Sequence, residues 1–148
     1  MRTVTRSYSP DDIIIVVGEE NFEGKGEDEF CRITFVSDIA EDKTGVDGEV
    51  VVCLTNDWRA DVTLTGAPGT PFNDYLSTLG NLLKNRQPGC FKFFKLIDKA
   101  SGRTVFTSPN SYVNKFPEVI FGKQPGDREW NIRCPHLNGV LGGMAAAS

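Results

Sequence analysis

Residues 49–66, EVVVCLTNDWRADVTLTG, constrain the fold more tightly than any other stretch of the chain. From residue 59 to 65 apolar and polar side chains alternate without exception. Ala60, Val62 and Leu64 fall on one side, and Arg59, Asp61, Thr63 and Thr65 on the other. A period of two belongs to a strand with one buried and one wet face. The preceding EVVVCLT reads as its partner strand, with Asn56-Asp57 as a tight turn between them. REWNIRC, 128–134, repeats the pattern, with Trp130, Ile132 and Cys134 facing in and Glu129, Asn131 and Arg133 facing out. FCRITFV, 30–36, sets Cys31, Ile33 and Phe35 against Arg32 and Thr34. DIIIVV, 12–17, is apolar throughout after Asp12, and CFKFFKLID, 90–98, is apolar on both faces, as in a strand sandwiched between layers. Further strands are predicted near 103–107, 111–116 and 118–122.

One segment has helical spacing. In TPFNDYLSTLGNLLKN, 70–85, Phe72, Tyr75, Leu76, Leu79, Leu82 and Leu83 form one apolar stripe. Thr70 is the expected cap, Pro71 suits the first turn, and Gln87-Pro88-Gly89 ends the element. Lys84 and Arg86 favour its C-terminal end. Many short strands with one covering helix predict a single mostly-β domain over 1–148, built as a sandwich or partly closed barrel.

At 148 residues the chain can bury a core without metal or disulfide help. No run approaches the roughly 18–20 apolar residues of a membrane span. The start, MRTVTRSYSPDD, lacks the apolar centre of a signal peptide, so the protein is expected to stay where it is made. Cys31, Cys53, Cys90 and Cys134 are widely spaced with no CxxC, which fits buried free thiols in a reducing compartment. Zinc needs about four ligands, and with the cysteines widely spaced and His136 the only histidine, two residues from Cys134, a metal site is not expected. Charge is divided unevenly: residues 1–75 hold sixteen Asp/Glu against six Lys/Arg, and residues 76–148 hold four against ten, so the halves carry −10 and +6. Those charges are interleaved with strand residues rather than gathered in a tail. They fit either head-to-tail self-association or two merely solvated faces.

Catalytic motifs fail when counted. GEENFEGKG, from Gly18, places five residues before Gly24-Lys25 where a phosphate loop needs four, and Gly26 stands where Ser or Thr is required. DKTGVDGE, 42–49, lacks the alternating acids of a calcium loop, and Cys53 occupies the closing position. His136 follows Pro135 beside a strand end, a surface-loop setting. No spacing selects a carboxylate pair. The sequence therefore points to no enzyme, no cofactor and no metal. FKFFK, 91–95, interleaves aromatic and basic residues, but a net charge of −4 and a pI near 5.0 disfavour avid nucleic-acid binding.

The order of several segments carries a family resemblance. YSPDDIIIVVG (8–18), VDGEVVVCLTNDWRADVTLTG (46–66), the helix, FPEVIFGKQPGDREWNIRC (116–134) and LNGVLGG (137–143) together resemble the tail tube proteins of contractile-tailed bacteriophages. The fixed points are Tyr8, Pro10, Gly48, Asp57, Arg128, Glu129 and Trp130. Val51 and Val52 depart from the pattern, standing where more polar residues are expected.

The resemblance implies two packed antiparallel sheets flanked by a helix, similar also to tubes of type VI secretion and contractile bacteriocins. It implies a virion structural protein whose six copies close into rings that stack into a tube for DNA ejection. The implied partners are other copies, tail sheath, tape-measure and baseplate proteins, and DNA in transit without sequence-specific binding; no membrane is involved. The implied location is the virion tail, assembled in the host bacterial cytoplasm. The wet strand face would then look into a water-filled bore, with Arg59, Asp61 and Thr63 lining it. Residues 37–48 are expected to form a long inter-strand loop that orders between rings through Ile39, Glu41, Asp42, Lys43, Val46 and Asp47. Residues 142–148 are expected to form a flexible tail. The competing expectation is a ligand-binding β-barrel module acting as a monomer, which needs an apolar interior pocket.

Overall fold

The computed structural model describes residues 6–7, 9–23, 25, 29–124, 126–142 and 145–146. In chain order the elements are β1 (Arg6–Ser7), β2 (Ile13–Val17), β3 (Glu20–Asn21), β4 (Cys31–Phe35), β5 (Ala40–Thr44), β6 (Val50–Leu54), β7 (Ala60–Gly66), α1 (Phe72–Lys84), β8 (Lys92–Asp98), β9 (Val105–Lys115), β10 (Arg128–Cys134), β11 (Asn138–Val140) and β12 (Ala145–Ala146).

Two antiparallel sheets share β9. The first runs β3-β2-β8-β9, with β11 on the far edge of β9, and the second continues β9-β10-β7-β4. The N-terminal part of β9 pairs with β8, and its C-terminal part with β10. Pro109 lies between these parts and has no N–H to give to a ladder, so it suits the place where the strand passes from one sheet to the other. The two runs predicted near 103–107 and 111–116 are thus one strand.

Alternation decides what the sheets enclose. Ile15 and Val17, Phe94 and Leu96, and Phe106 come inward from the first sheet; Ala60, Val62 and Leu64, Trp130, Ile132 and Cys134 come inward from the second. Each Leu, Ile or Val buried in this way stabilises the fold by roughly 1.5–3 kcal/mol. Helix α1 covers one side with Phe72, Leu76 and Leu79. A side chain on Gly80 would put Cβ 2.7 Å from Phe116 Cζ, so this glycine lets the helix approach β9 closely. Asn73 ties the helix to the second sheet: its Oδ1 accepts from buried Trp130 Nε1 at 2.9 Å, and its Nδ2 donates to the carbonyls of Ala67 and Pro68 at 3.0 Å each.

The mostly-β sandwich with one helix is borne out, and the sheets do not close into a barrel. Several local expectations are corrected. β6 does not pair with β7 across an Asn56-Asp57 turn. It pairs with β5, from Ala40↔Leu54 to Thr44↔Val50. Residues 37–48 are therefore no long loop but include a strand, formed because the VVVCL run supplies a pairing edge that AEDKT alone does not announce. Residues 118–122 are not a strand. Phe91 and Phe93 are exposed, so 90–98 is covered on one face only. Thr70 does not cap the helix through its side chain; Pro71 holds the cap position, and Thr70 contributes its carbonyl to Asn73 N–H. Of the 142–148 tail, residues 145–146 pair as β12 with β1; 143–144 and 147–148 lie outside the described residues, as do Tyr8, Gly24 and Gly26.

Candidate functional site

The outward faces of the two sheets differ in chemistry. On the first, Ile14, Val16, Phe93, Ile97, Val105 and Val140 point away from the core with Lys95 among them. On the second, β4, β7 and β10 present rows of polar side chains. Thr34, Asp61 and Arg133 stand abreast, then Arg32, Thr63 and Asn131, then Thr65 beside Glu129. This face includes all three residues expected to line a bore, since Arg59 enters β7 on the same side as Asp61 and Thr63.

Each arginine of this face already has an anion. Arg133 is paired with Asp61, its Nη2 donating to Oδ2 at 3.3 Å in addition to a closer contact from Nε. Arg32 Nη2 donates to Glu29 at 2.9 Å, and Arg59 Nη2 to Asp57 at 2.7 Å. The Arg59 guanidinium and the Ser37 hydroxyl hold the Asp57 carboxyl well below the usual carboxylate range, and the Arg32 guanidinium lowers Glu29. Sequence reading placed Arg32 and Arg133 on the outward side, but it missed these pairs. They depend on strand register and on how the 55–59 segment turns back.

At one end of the second sheet the β5–β6 hairpin stands away from the body. Every strand residue in it except Ala40 is exposed, including Val50, Val51, Val52, Leu54 and Cys53. Cross-strand pairing sets Asp42 beside Val52, Lys43 beside Val51 and Glu41 beside Cys53. The 45–49 turn closes with Gly45 N–H donating to Glu49 O at 2.8 Å, and Gly48 has φ +79°, a conformation that glycine adopts freely. Ile39 sits at the base; Val46 and Asp47 form the tip. The six residues expected to act between rings thus all belong to one projecting element, though not to a loop.

Beside the hairpin base lies an apolar groove of about 610 Å³, bordered by Phe35, Ile39, Trp58, Phe106 and Leu137. Phe106 and Leu137 on its floor belong to the core, and the groove opens to the surface between them and the hairpin base. His136 stacks on Trp58 there, ring centroids 5.2 Å apart. Among the described residues no group of three metal-ligating side chains occurs, and no helix is long and apolar enough to cross a membrane. Burial pushes the thiols of Cys31 and Cys134 up to about 12, while Cys53 is exposed, contrary to the expectation of buried thiols throughout.

Known proteins place this architecture among components of phage and phage-like particles. The sequence matches no family model. It is 23% identical over 150 residues to the structural protein ORF10 of Pseudomonas phage KPP10, covering 97% of this chain and 87% of that protein. The fold matches the tube-terminating cap of the anti-feeding prophage with a TM-score of 0.60 at 10% identity, over 96% of each chain. A chain of the sheath/tube terminator of an extracellular contractile injection system in its extended state matches with a TM-score of 0.62 at 11% identity, over 94% of this chain and all of the other. A chain of the native gene transfer agent virion matches with a TM-score of 0.58 at 14% identity, over 96% and 100%. The chain is thus similar to a phage structural protein, and its fold is one found in the tail-end parts of contractile particles.

Proposed function

We propose that this protein is a virion structural protein and, more specifically, a tail tube subunit whose polar sheet face lines a conduit for DNA. The observation that carries the reading is that every arginine on that face of β4, β7 and β10 is already paired with an acid. A bore through which a polyanion must slide has to be wet yet must not offer free cations, because each phosphate gripped adds salt-sensitive affinity. Arg32, Arg59 and Arg133 keep the face hydrated while their charge is spent on Glu29, Asp57 and Asp61. The apolar outer face of the first sheet then turns away from the bore, toward neighbouring subunits or the sheath. Copies related head to tail close into a ring, six in the resembling family, and joining sheet edges within it hides β4, which among the described residues pairs with β7 alone. The role in this reading is mechanical and non-enzymatic.

A second reading, a ring that terminates the tube, is favoured by the anti-feeding prophage and injection-system neighbours. Negative-stain microscopy of the concentrated protein separates the two. Long tubes with a central hole support the subunit, isolated rings support the terminator, and persistent monomers refute both.

A further inference from the structure

The loop that follows β9 carries Val119, Ile120 and Phe121 in succession, exposed to 59%, 68% and 86%. Three consecutive bare apolar residues are an error in a surface unless they serve a contact. The groove beside the hairpin base is a complementary feature on the same chain, and the two lie at opposite ends of one sheet. β10 begins at Arg128 beside Gly66, next to the loop, and ends at Cys134 beside Ala60, next to Trp58 and Leu137. Its seven residues span roughly 23 Å at about 3.3 Å per residue. The loop of a given copy therefore cannot fill its own groove.

We propose that Ile120 and Phe121 of one copy seat in the groove of the next, with Lys123 facing Asp38, and that this contact joins successive rings. Charge supports the pairing. Asp38 borders the groove and Lys123 lies two residues from Phe121, and neither has an ion pair among the described residues, whereas Asp57, the groove's other acid, is held by Arg59 and Ser37. The surfaces differ and lie at opposite ends of one sheet, so the contact is heterologous, and between rings stacked along a tube its repetition gives an open stack rather than a closed pair. The axial direction rests on the tube reading; the fit of loop to groove does not.

The test uses the full chain with a photo-crosslinking benzoylphenylalanine at position 121, irradiated after assembly and mapped by mass spectrometry. Cross-links to residues 35–40, 55–58 or 137–139 of another copy are expected. Asp38→Lys and Lys123→Asp, both at exposed sites, should each lower assembly at low salt at least tenfold, and the double exchange should restore it. Cross-links that map elsewhere, the absence of intermolecular cross-links, or a double exchange no better than either single one overturns the proposal. Tubes with cross-links elsewhere leave the tube reading standing. The expected cross-links in oligomers that never form tubes leave the contact standing and remove the tube.

Discussion

If the polar face lines a DNA conduit as proposed, removing one carboxylate from it should turn it from a surface DNA slides over into one that holds it. In Asp61→Asn, the Arg133 guanidinium loses its anion while the strand keeps its shape. The two side chains are 28% and 22% exposed, so the pair is neither fully buried nor freely solvated. Hydrogen bonds between charged groups contribute roughly 1.5–3 kcal/mol. Partial exposure screens them, and asparagine retains one acceptor oxygen, which brings the expected loss to about 1 kcal/mol. For a chain of this size that is a fall in Tm of roughly 2–4 °C. The freed arginine should take a phosphate. Each such contact steepens the salt dependence of duplex affinity by about 0.9 in log–log slope, or roughly 3.5-fold between 50 and 200 mM salt. Fluorescence anisotropy with labelled duplex DNA across that range measures the slope, and thermal unfolding checks the fold. A variant that folds and assembles yet binds DNA no better than the parent at 50 mM salt refutes the claim that pairing is what keeps this face from gripping. A lysine at 61 is the poorer test, because it would stand beside Arg133 and add repulsion to the loss of the pair.

Asn73→Ala should cost about 3 kcal/mol, since it removes three hydrogen bonds worth roughly 1 kcal/mol each and leaves the Trp130 N–H buried without a partner; urea unfolding with an unchanged m-value measures it. Excising residues 40–54 as a unit and joining the ends through a glycine-containing turn should leave a folded protein that forms no tubes by microscopy, whereas cutting only 38–46 would strand β6 without its partner. In the native protein at pH 8 Cys53 should react with a thiol reagent at once, half-buried Cys31 more slowly, and Cys90 and Cys134 only on unfolding. Stability should hold below about pH 9 and fall above it, because the unfolded chain ionises Cys31 and Cys134 there while the folded thiols stay protonated up to about 12.

The elements legible in the sequence are those whose pattern burial writes directly. β7 and β10 alternate because one side of each meets the core, and the stripe of α1 reads correctly from Phe72 to Leu79 because it meets β9. β5 was hidden because nothing buries it. AEDKT is a strand only by virtue of pairing with β6, and pairing leaves no mark on polarity. The opposite error arose at 118–122, where Val119, Ile120 and Phe121 look like a core strand and are exposed instead. Phe91 and Phe93 mislead in the same way, because apolar composition there marks bare surface and not burial. The outward placement of Arg59, Asp61 and Thr63 was legible, but the partner of Asp61 is Arg133 of β10, and register between segments seventy residues apart has no local signal; that of Arg59 is Asp57, set by how the 55–59 segment turns back.

The hairpin also sets a hazard for the chain before it is put to use. β6 offers five residues, VVVCL, with no charge and no proline, and among the described residues no strand pairs with its side away from β5. Such an edge templates the addition of further strands and thus amyloid-like growth. Glu41, Asp42 and Lys43 sit on the companion strand, where they can repel a second hairpin from one side only. A pool of finished but unused subunits is therefore the aggregation-prone state. In the tube reading, capture into a larger body protects the protein, and synthesis that outruns capture should yield insoluble material from a fully folded chain.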